Sequence, residues 1–248
     1  MKKLIAANWK MNGQSDWAVK PAQLNSVLGG KIPENAQVLI CPPSVYLTQI
    51  ADNAHKYGMN AGAQNCHAED SGAFTGEISA QMASDCHADY VICGHSERRS
   101  MFGDSDAVVK AKAQSVIQSA MVAIICVGET LEQRESGAAN STVEAQLRES
   151  IPEASTALNT VIAYEPVWAI GTGKTATLDD IAQMHAHIRS VYGDIFGERS
   201  AKDLCIQYGG SVKPANAKDI LSTDGVDGAL VGGASLNMED FAKIIQAA

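Results

Sequence analysis

The stretch Leu4-Ile5-Ala6-Ala7-Asn8-Trp9-Lys10-Met11-Asn12-Gly13 decides the fold. Four apolar residues in a row, without polar alternation, fit a strand covered on both faces, as in parallel sheets. The residues just past the strand matter as much. An open, doubly wound sheet commonly spends its first strand-to-helix turn on a glycine-rich phosphate loop. Here that turn carries Asn8, Trp9 and Lys10, and the first glycine comes only at position 13. Polar residues directly after an apolar strand suit the mouth of a closed barrel.

The same pattern recurs along the chain. Further apolar runs span Val38 to Cys41, Met59 to Ala63, Tyr90 to Cys93, Val122 to Val127, Val161 to Tyr164, Leu204 to Tyr208 and Ala229 to Val231. Eight runs in 248 residues give one per 31, and a strand with its crossover helix needs about 30. Gln64 and Asn65, His95 to Glu97, Glu165, Ser211, and Gly232-Gly233 all follow such runs. A barrel gathers these strand ends at one mouth, whereas an open sheet strings them along an edge. The chain therefore reads as α/β, a single (β/α)8-barrel domain over residues 1–248. Between the runs, Val109, Ala113, Val116 and Ala120 repeat at helical spacing, with Lys110, Lys112 and Gln114 on other faces. Asp179 and Asp180 open a segment carrying Ile181, Met184, Ile188 and Val191, and Ser44 offers itself as an N-cap.

Composition narrows the function classes. Apolar residues make up 46% and charged ones 19%, which fits a globular chain with a sizeable core. The 28 acidic against 19 basic residues give -9, which argues against gripping nucleic acid or an anionic membrane through the whole surface. A small basic pocket for an anionic metabolite remains compatible. The apolar run after Lys2-Lys3 stops too soon for a secretory signal, and no stretch approaches the roughly 20 apolar residues of a membrane span. The chain reads as soluble and cytoplasmic. The 6 cysteines form no C-x-x-C pair. The neighbours in Cys66-His67 and Cys86-His87 point apart, and no second pair completes a zinc site. No metal is expected.

Three residues carry the chemistry, each weighed against a plainer reading. His95, in Gly94-His95-Ser96-Glu97-Arg98-Arg99, lies beside the next helical turn, whose N–H groups disfavour a protonated ring. The plainer reading is a capping histidine. Glu165 directly ends an apolar strand in Ala163-Tyr164-Glu165-Pro166-Val167-Trp168. Desolvation there raises its basicity, as a general base requires, and its position outweighs a solvated loop glutamate. Lys10 is either an exposed surface lysine or a charge for an anionic substrate and a developing oxyanion. Backbone phosphate contacts are offered by Gly171-Thr172-Gly173, Gly209-Gly210-Ser211 and Gly232-Gly233-Ala234-Ser235, the last two following the seventh and eighth strands. Gly173-Lys174-Thr175 is no P-loop, because Trp168 stands where the first glycine belongs. Gly171-Thr172-Gly173-Lys174-Thr175-Ala176 begins too far from its strand for a dinucleotide site. Ala169 to Gly173, between stiff ends, fits a lid that completes a site and expels water.

These motifs, with Tyr208 and Leu230-Val231-Gly232-Gly233-Ala234-Ser235-Leu236, resemble the triosephosphate isomerase family in order and over the whole chain. The resemblance implies interconversion of dihydroxyacetone phosphate and D-glyceraldehyde 3-phosphate through an enediol(ate), in glycolysis and gluconeogenesis, with no cofactor. It implies Glu165 as base, neutral His95 as electrophile and Lys10 as electrostatic stabiliser. Asn8, Lys10, Gly171, Ser211, Gly232 and Gly233 would bind the substrate, with Glu97 and Cys126 in support. Gly72-Ala73-Phe74-Thr75-Gly76-Glu77 resembles the family's third-loop tip, which implies a homodimer with Thr75 bracing the partner's site. Asn237 stands where relatives often carry lysine and starts the last helix, a capping position. A Schiff-base aldolase is a rival, but it would want a lysine within a barrel strand, and none of the eight runs holds one. A non-catalytic phosphometabolite binder would not need Glu165 beside a lid.

Overall fold

Hydrogen bonding closes eight parallel strands into a ring. They are β1 (Lys3–Asn8), β2 (Ala36–Cys41), β3 (Asn60–Ala63), β4 (Tyr90–Cys93), β5 (Val122–Val127), β6 (Thr160–Tyr164), β7 (Cys205–Tyr208) and β8 (Gly228–Val231). They lie in sequence order, and β8 returns to pair with β1 through Leu4↔Gly228 to Ala7↔Val231. The computed structural model describes residues 1–170 and 175–248. Every expected run coincides with a strand to within two residues at either end.

The unbroken apolar runs have a direct cause. Alternate residues of a strand face opposite sides, and here both sides are apolar. Leu4 and Ala6, Ile124 and Cys126, and Val161 and Ala163 pack together inside the barrel. Ile5 and Ala7, Ala123 and Ile125, and Ile162 and Tyr164 join the larger cluster between sheet and helices. The same alternation puts Asn8, the last residue of β1, and Glu165, the first residue past β6, on the inward row at the mouth.

The connecting helices account for the remaining expectations. In Leu178–Phe196, Ile181, Met184, Ile188 and Val191 are buried, and Thr177 with Asp180 forms a capping box at its start. Asn237 caps Met238–Gln246 by accepting from the N–H groups of Glu239 and Asp240.

Three local expectations need correction. Ser44 caps nothing: it lies within a short 3-10 turn, Ser44–Tyr46, ahead of the helix Leu47–Lys56. The helix Asp106–Gln118 stops before Ala120, whose φ is +58°. Lys112 does not lie on another face from the apolar stripe. It is buried, with Nζ 2.7 Å from Asp104 and 2.9 Å from Asn65 Oδ1, so a local carboxylate outweighed what residue type alone suggests.

Candidate active site

The polar residues at the mouth converge because the turns after each strand redirect them. Asn8 ends β1 and is buried; its Oδ1 accepts from the Lys10 N–H at 3.0 Å. Lys10 holds a left-handed backbone, φ +52°, a conformation that costs a non-glycine residue about 1–2 kcal/mol. Gln64, after β3, donates to the Lys10 and Cys41 carbonyls, both at 2.9 Å, and so pins this bend. The Lys10 ammonium lies 2.6 Å from Glu97 Oε1.

His95 breaks the alternation of β4. Ile92 faces the barrel interior, so continued alternation would turn residue 95 outward. Gly94, at φ +69°, bends the chain instead, and a Cβ there would meet Val109 at 2.5 Å. His95 consequently reaches the axis with Nε2 2.9 Å from Glu165 Oε1. The Ser96 N–H donates to the other carboxylate oxygen at 2.8 Å. The Glu97 N–H donates to His95 Nδ1 at 3.2 Å, which makes Nδ1 an acceptor and leaves the ring proton on Nε2. His95 is thus also the cap of the helix Ser96–Phe102.

The contact between the two side chains sets their proton affinities. Burial disfavours charge on both groups, but each outweighs it for the other. His95 is pushed up and Glu165 is held down, the latter helped by Ser96 and the Cys126 thiol. This reverses, for the pair in contact, the expected raised carboxyl and lowered imidazole. The helix turn does act on the ring as expected, through the amide at Nδ1; the adjacent carboxylate charge is stronger. Burial, followed by the charge of Glu165, pushes the Cys126 thiol up, so it stays protonated.

These groups share one cavity of about 540 Å³. Asn8, Lys10, His95, Glu165, Ser211, Gly232 and Gly233 all line it, together with Ile170, Leu230, Lys213 and Asp240. Of the expected site residues, Gly171 lies outside the described residues, as does the rest of the expected lid from that position to Gly173. Thr75 is exposed on the loop after β3 and does not line the cavity. The Ser235 hydroxyl fixes the turn after β8 by donating to the Gly232 carbonyl at 2.7 Å. The glycines after β7 have a packing reason beyond anion binding. A Cβ at Gly209 would stand 2.8 Å from Glu165 Cγ, and one at Gly210 would stand 2.2 Å from the Tyr208 hydroxyl.

Several supporting residues escaped the sequence reading. Arg99 ties the two halves of the site together, donating from Nε to the Gly94 carbonyl and from Nη2 to the Cys126 carbonyl, each at 3.0 Å. Glu129, fully buried, gathers the Tyr164 hydroxyl at 3.0 Å and Trp168 Nε1 at 2.8 Å, and so anchors the chain beyond Glu165. Its position two residues after β5 was a usable signal, close to the one that marks Glu165. Among the described residues no cluster of His, Cys, Asp or Glu is arranged to hold a metal.

A buried carboxylate and imidazole at the C-terminal mouth share their cavity with an ammonium and the glycine-rich turns after β7 and β8, where a (β/α)8-barrel enzyme carries its active site. Comparison with known proteins narrows the class. The family model for triosephosphate isomerase matches residues 3–248. The triosephosphate isomerase of Ruegeria sp. (strain TM1040) is 51% identical over 99% of this chain and 98% of its own. That of Rhodopirellula baltica is 49% identical over 99% and 97%. A crystal structure of triosephosphate isomerase from Bartonella henselae superposes with a TM-score of 0.91, at 41% identity, over 100% of this chain and 99% of that one. The chain belongs to the triosephosphate isomerase family and is an isomerase.

Proposed function

We propose that the chain interconverts dihydroxyacetone phosphate and D-glyceraldehyde 3-phosphate with Glu165 as base, His95 as electrophile and Lys10 as electrostatic stabiliser. Family membership supports the reaction, and with it a place in glycolysis; by extension the reverse flux serves gluconeogenesis. The observation that carries the residue roles is the 2.9 Å contact between His95 Nε2 and Glu165 Oε1, within the cavity that Lys10 also lines. Glu165 takes a proton from the carbon beside the carbonyl. The C–H electrons form the enediolate double bond, and the carbonyl oxygen gains the charge. The Nε2–H of His95 and the Lys10 ammonium meet that charge. His95 gives its Nε2 proton to that oxygen and takes the proton of the neighbouring hydroxyl, so that the new carbonyl forms as Glu165 returns its proton to the neighbouring carbon.

Glu165 must leave its resting partners to do this. Three donors hold its carboxylate, His95 Nε2, the Ser96 amide and the Cys126 thiol, and they keep it a weak base. A substrate that inserts between Glu165 and His95 removes the charge that pushes His95 up. Burial and the Glu97 amide then both favour a neutral ring, the form suited to donate one hydrogen bond and shuttle between two oxygens.

Asn8 orients Lys10 and the substrate oxygens. Ser211, Gly232 and Gly233 hold the phosphate, with Gly171 assigned beside them on family resemblance. We place the enzyme in the cytoplasm; among the described residues no helix is long and apolar enough to cross a membrane. A homodimer is supported by the exposure of Met11, Phe74, Met82, Met101 and Phe102. A coupled assay run in both directions tests the reaction. Lys10→Ala is expected to raise KM and lower kcat together, since the same ammonium serves substrate and enediolate. Wild-type values for both would remove Lys10 from the site.

A further inference from the structure

The backbone of Glu165 is braced from behind by a residue remote from the cavity that holds the substrate. Gln146 lies on the helix Ala139–Ser150, outside the barrel. Its side-chain amide grips the backbone of one residue twice. The Gly128 N–H donates to Gln146 Oε1 at 2.7 Å, and Gln146 Nε2 donates to the Gly128 carbonyl at 3.1 Å. Gly128 in turn lies against the base. A Cβ built on it would stand 1.7 Å from the Glu165 carbonyl oxygen and 2.6 Å from the carbonyl carbon. The flanking residues lace the same two chains together: Glu165 N–H donates to Val127 O at 2.8 Å, and Val167 N–H to Glu129 O at 3.1 Å.

On another side the same segment borders a cavity of about 250 Å³, lined among others by Cys126, Gln146, Glu165 and Val167. Residues 165–167 therefore have room to shift, and Gly128 is their close steric stop. We infer that Gln146 is a positioning residue for the reaction, fixing Gly128 and through it the backbone from which Glu165 reaches the substrate. The inference rests on Glu165 being the base. A primary amide suits the task because it offers one acceptor and one donor side by side, the complement of one extended residue's N–H and C=O. Without it both backbone groups lose their partner, and the strand end relaxes toward the cavity. Small misplacements of a reacting group are costly: about 1 Å is worth on the order of a hundredfold in rate.

The test compares kcat and KM for wild type, Gln146→Met, Gln146→Glu and Glu165→Gln. Gln146→Met keeps the length and removes both hydrogen bonds. We expect kcat to fall by roughly tenfold or more with KM within about twofold, since the phosphate-binding turns are untouched. Gln146→Glu keeps the acceptor for the Gly128 N–H and regains a donor only when protonated. Its kcat relative to wild type should rise as pH falls, a rescue that general loosening of the helix would not produce. Wild-type kcat in Gln146→Met overturns the inference, as does a change in KM alone. Should Gln146→Met fail to fold, a flat kcat ratio for Gln146→Glu across pH overturns it instead. Loss of turnover in Glu165→Gln alongside unimpaired Gln146 variants defeats only this inference. Retained turnover in Glu165→Gln defeats the base assignment beneath it.

Discussion

Glycine at position 209 shows how tightly single atoms set this site. Its missing Cβ is the space that Glu165 Cγ occupies, 2.8 Å from where a methyl would sit. Gly209→Ala should therefore push the base away from its resting place while leaving Lys10 and the turn after β8 intact. The expected outcome is a drop in kcat of about tenfold or more with a smaller change in KM, read in the coupled assay. Unchanged turnover would mean that Glu165 tolerates displacement. The identities of His95, Glu165 and Lys10 were legible in the sequence, because each follows an apolar run. Their directions were not. Gly94 turns His95 inward against the alternation of β4, and Gln64 pins Lys10 from the turn after β3. The proton affinities were misjudged for a related reason. A sequence shows the helix turn beside His95, but not that Glu165 stands 2.9 Å away.

The strands were the most legible elements, since parallel strands buried on both faces leave continuous apolar runs. Helix faces were less so, because a charged residue at a helical position reads as exposed until its partner is known. Lys112 with Asp104 is one such case. A buried histidine adds a pH dependence at the same scale. His185 sits on the inner face of Leu178–Phe196, and its Nδ1 bonds the Gly225 carbonyl at 3.0 Å. Burial pushes its pKa down to about 4 from the ordinary 6.5. The unfolded chain therefore binds a proton that the folded chain refuses. Full stability is present above pH 6.5, and the His185 contribution is lost as pH falls from there toward 4. The loss at the lower end is about 3 kcal/mol for this one group. Urea unfolding across that window should show a shallower pH dependence in His185→Asn than in wild type. Parallel curves would mean that the ring is not held neutral.

At the scale of the whole molecule, ring closure turns scattered strand ends into one cavity and leaves several large apolar side chains outside the core. Phe74, beside Thr75 on the loop after β3, together with Met11, Met82 and Phe102, exposes large apolar side chains. Thr75 lies outside its own cavity lining, which suits a contact made with a second subunit. Sedimentation at micromolar concentration should give a species of twice the 26.1 kDa chain mass. A purely monomeric boundary would contradict the assignment of Thr75 to a partner's site. We propose that the whole chain forms one domain, which predicts, in addition, a single cooperative unfolding transition rather than two.

The mechanism depends most on Glu165 being the group that moves the substrate's proton. Glu165→Gln keeps the shape of the side chain and removes the basic oxygen. Its turnover of dihydroxyacetone phosphate should fall by roughly a thousandfold or more, while a phosphorylated inhibitor that relies on Lys10 and the glycine turns still binds. Turnover within a few fold of wild type would contradict the proposed mechanism.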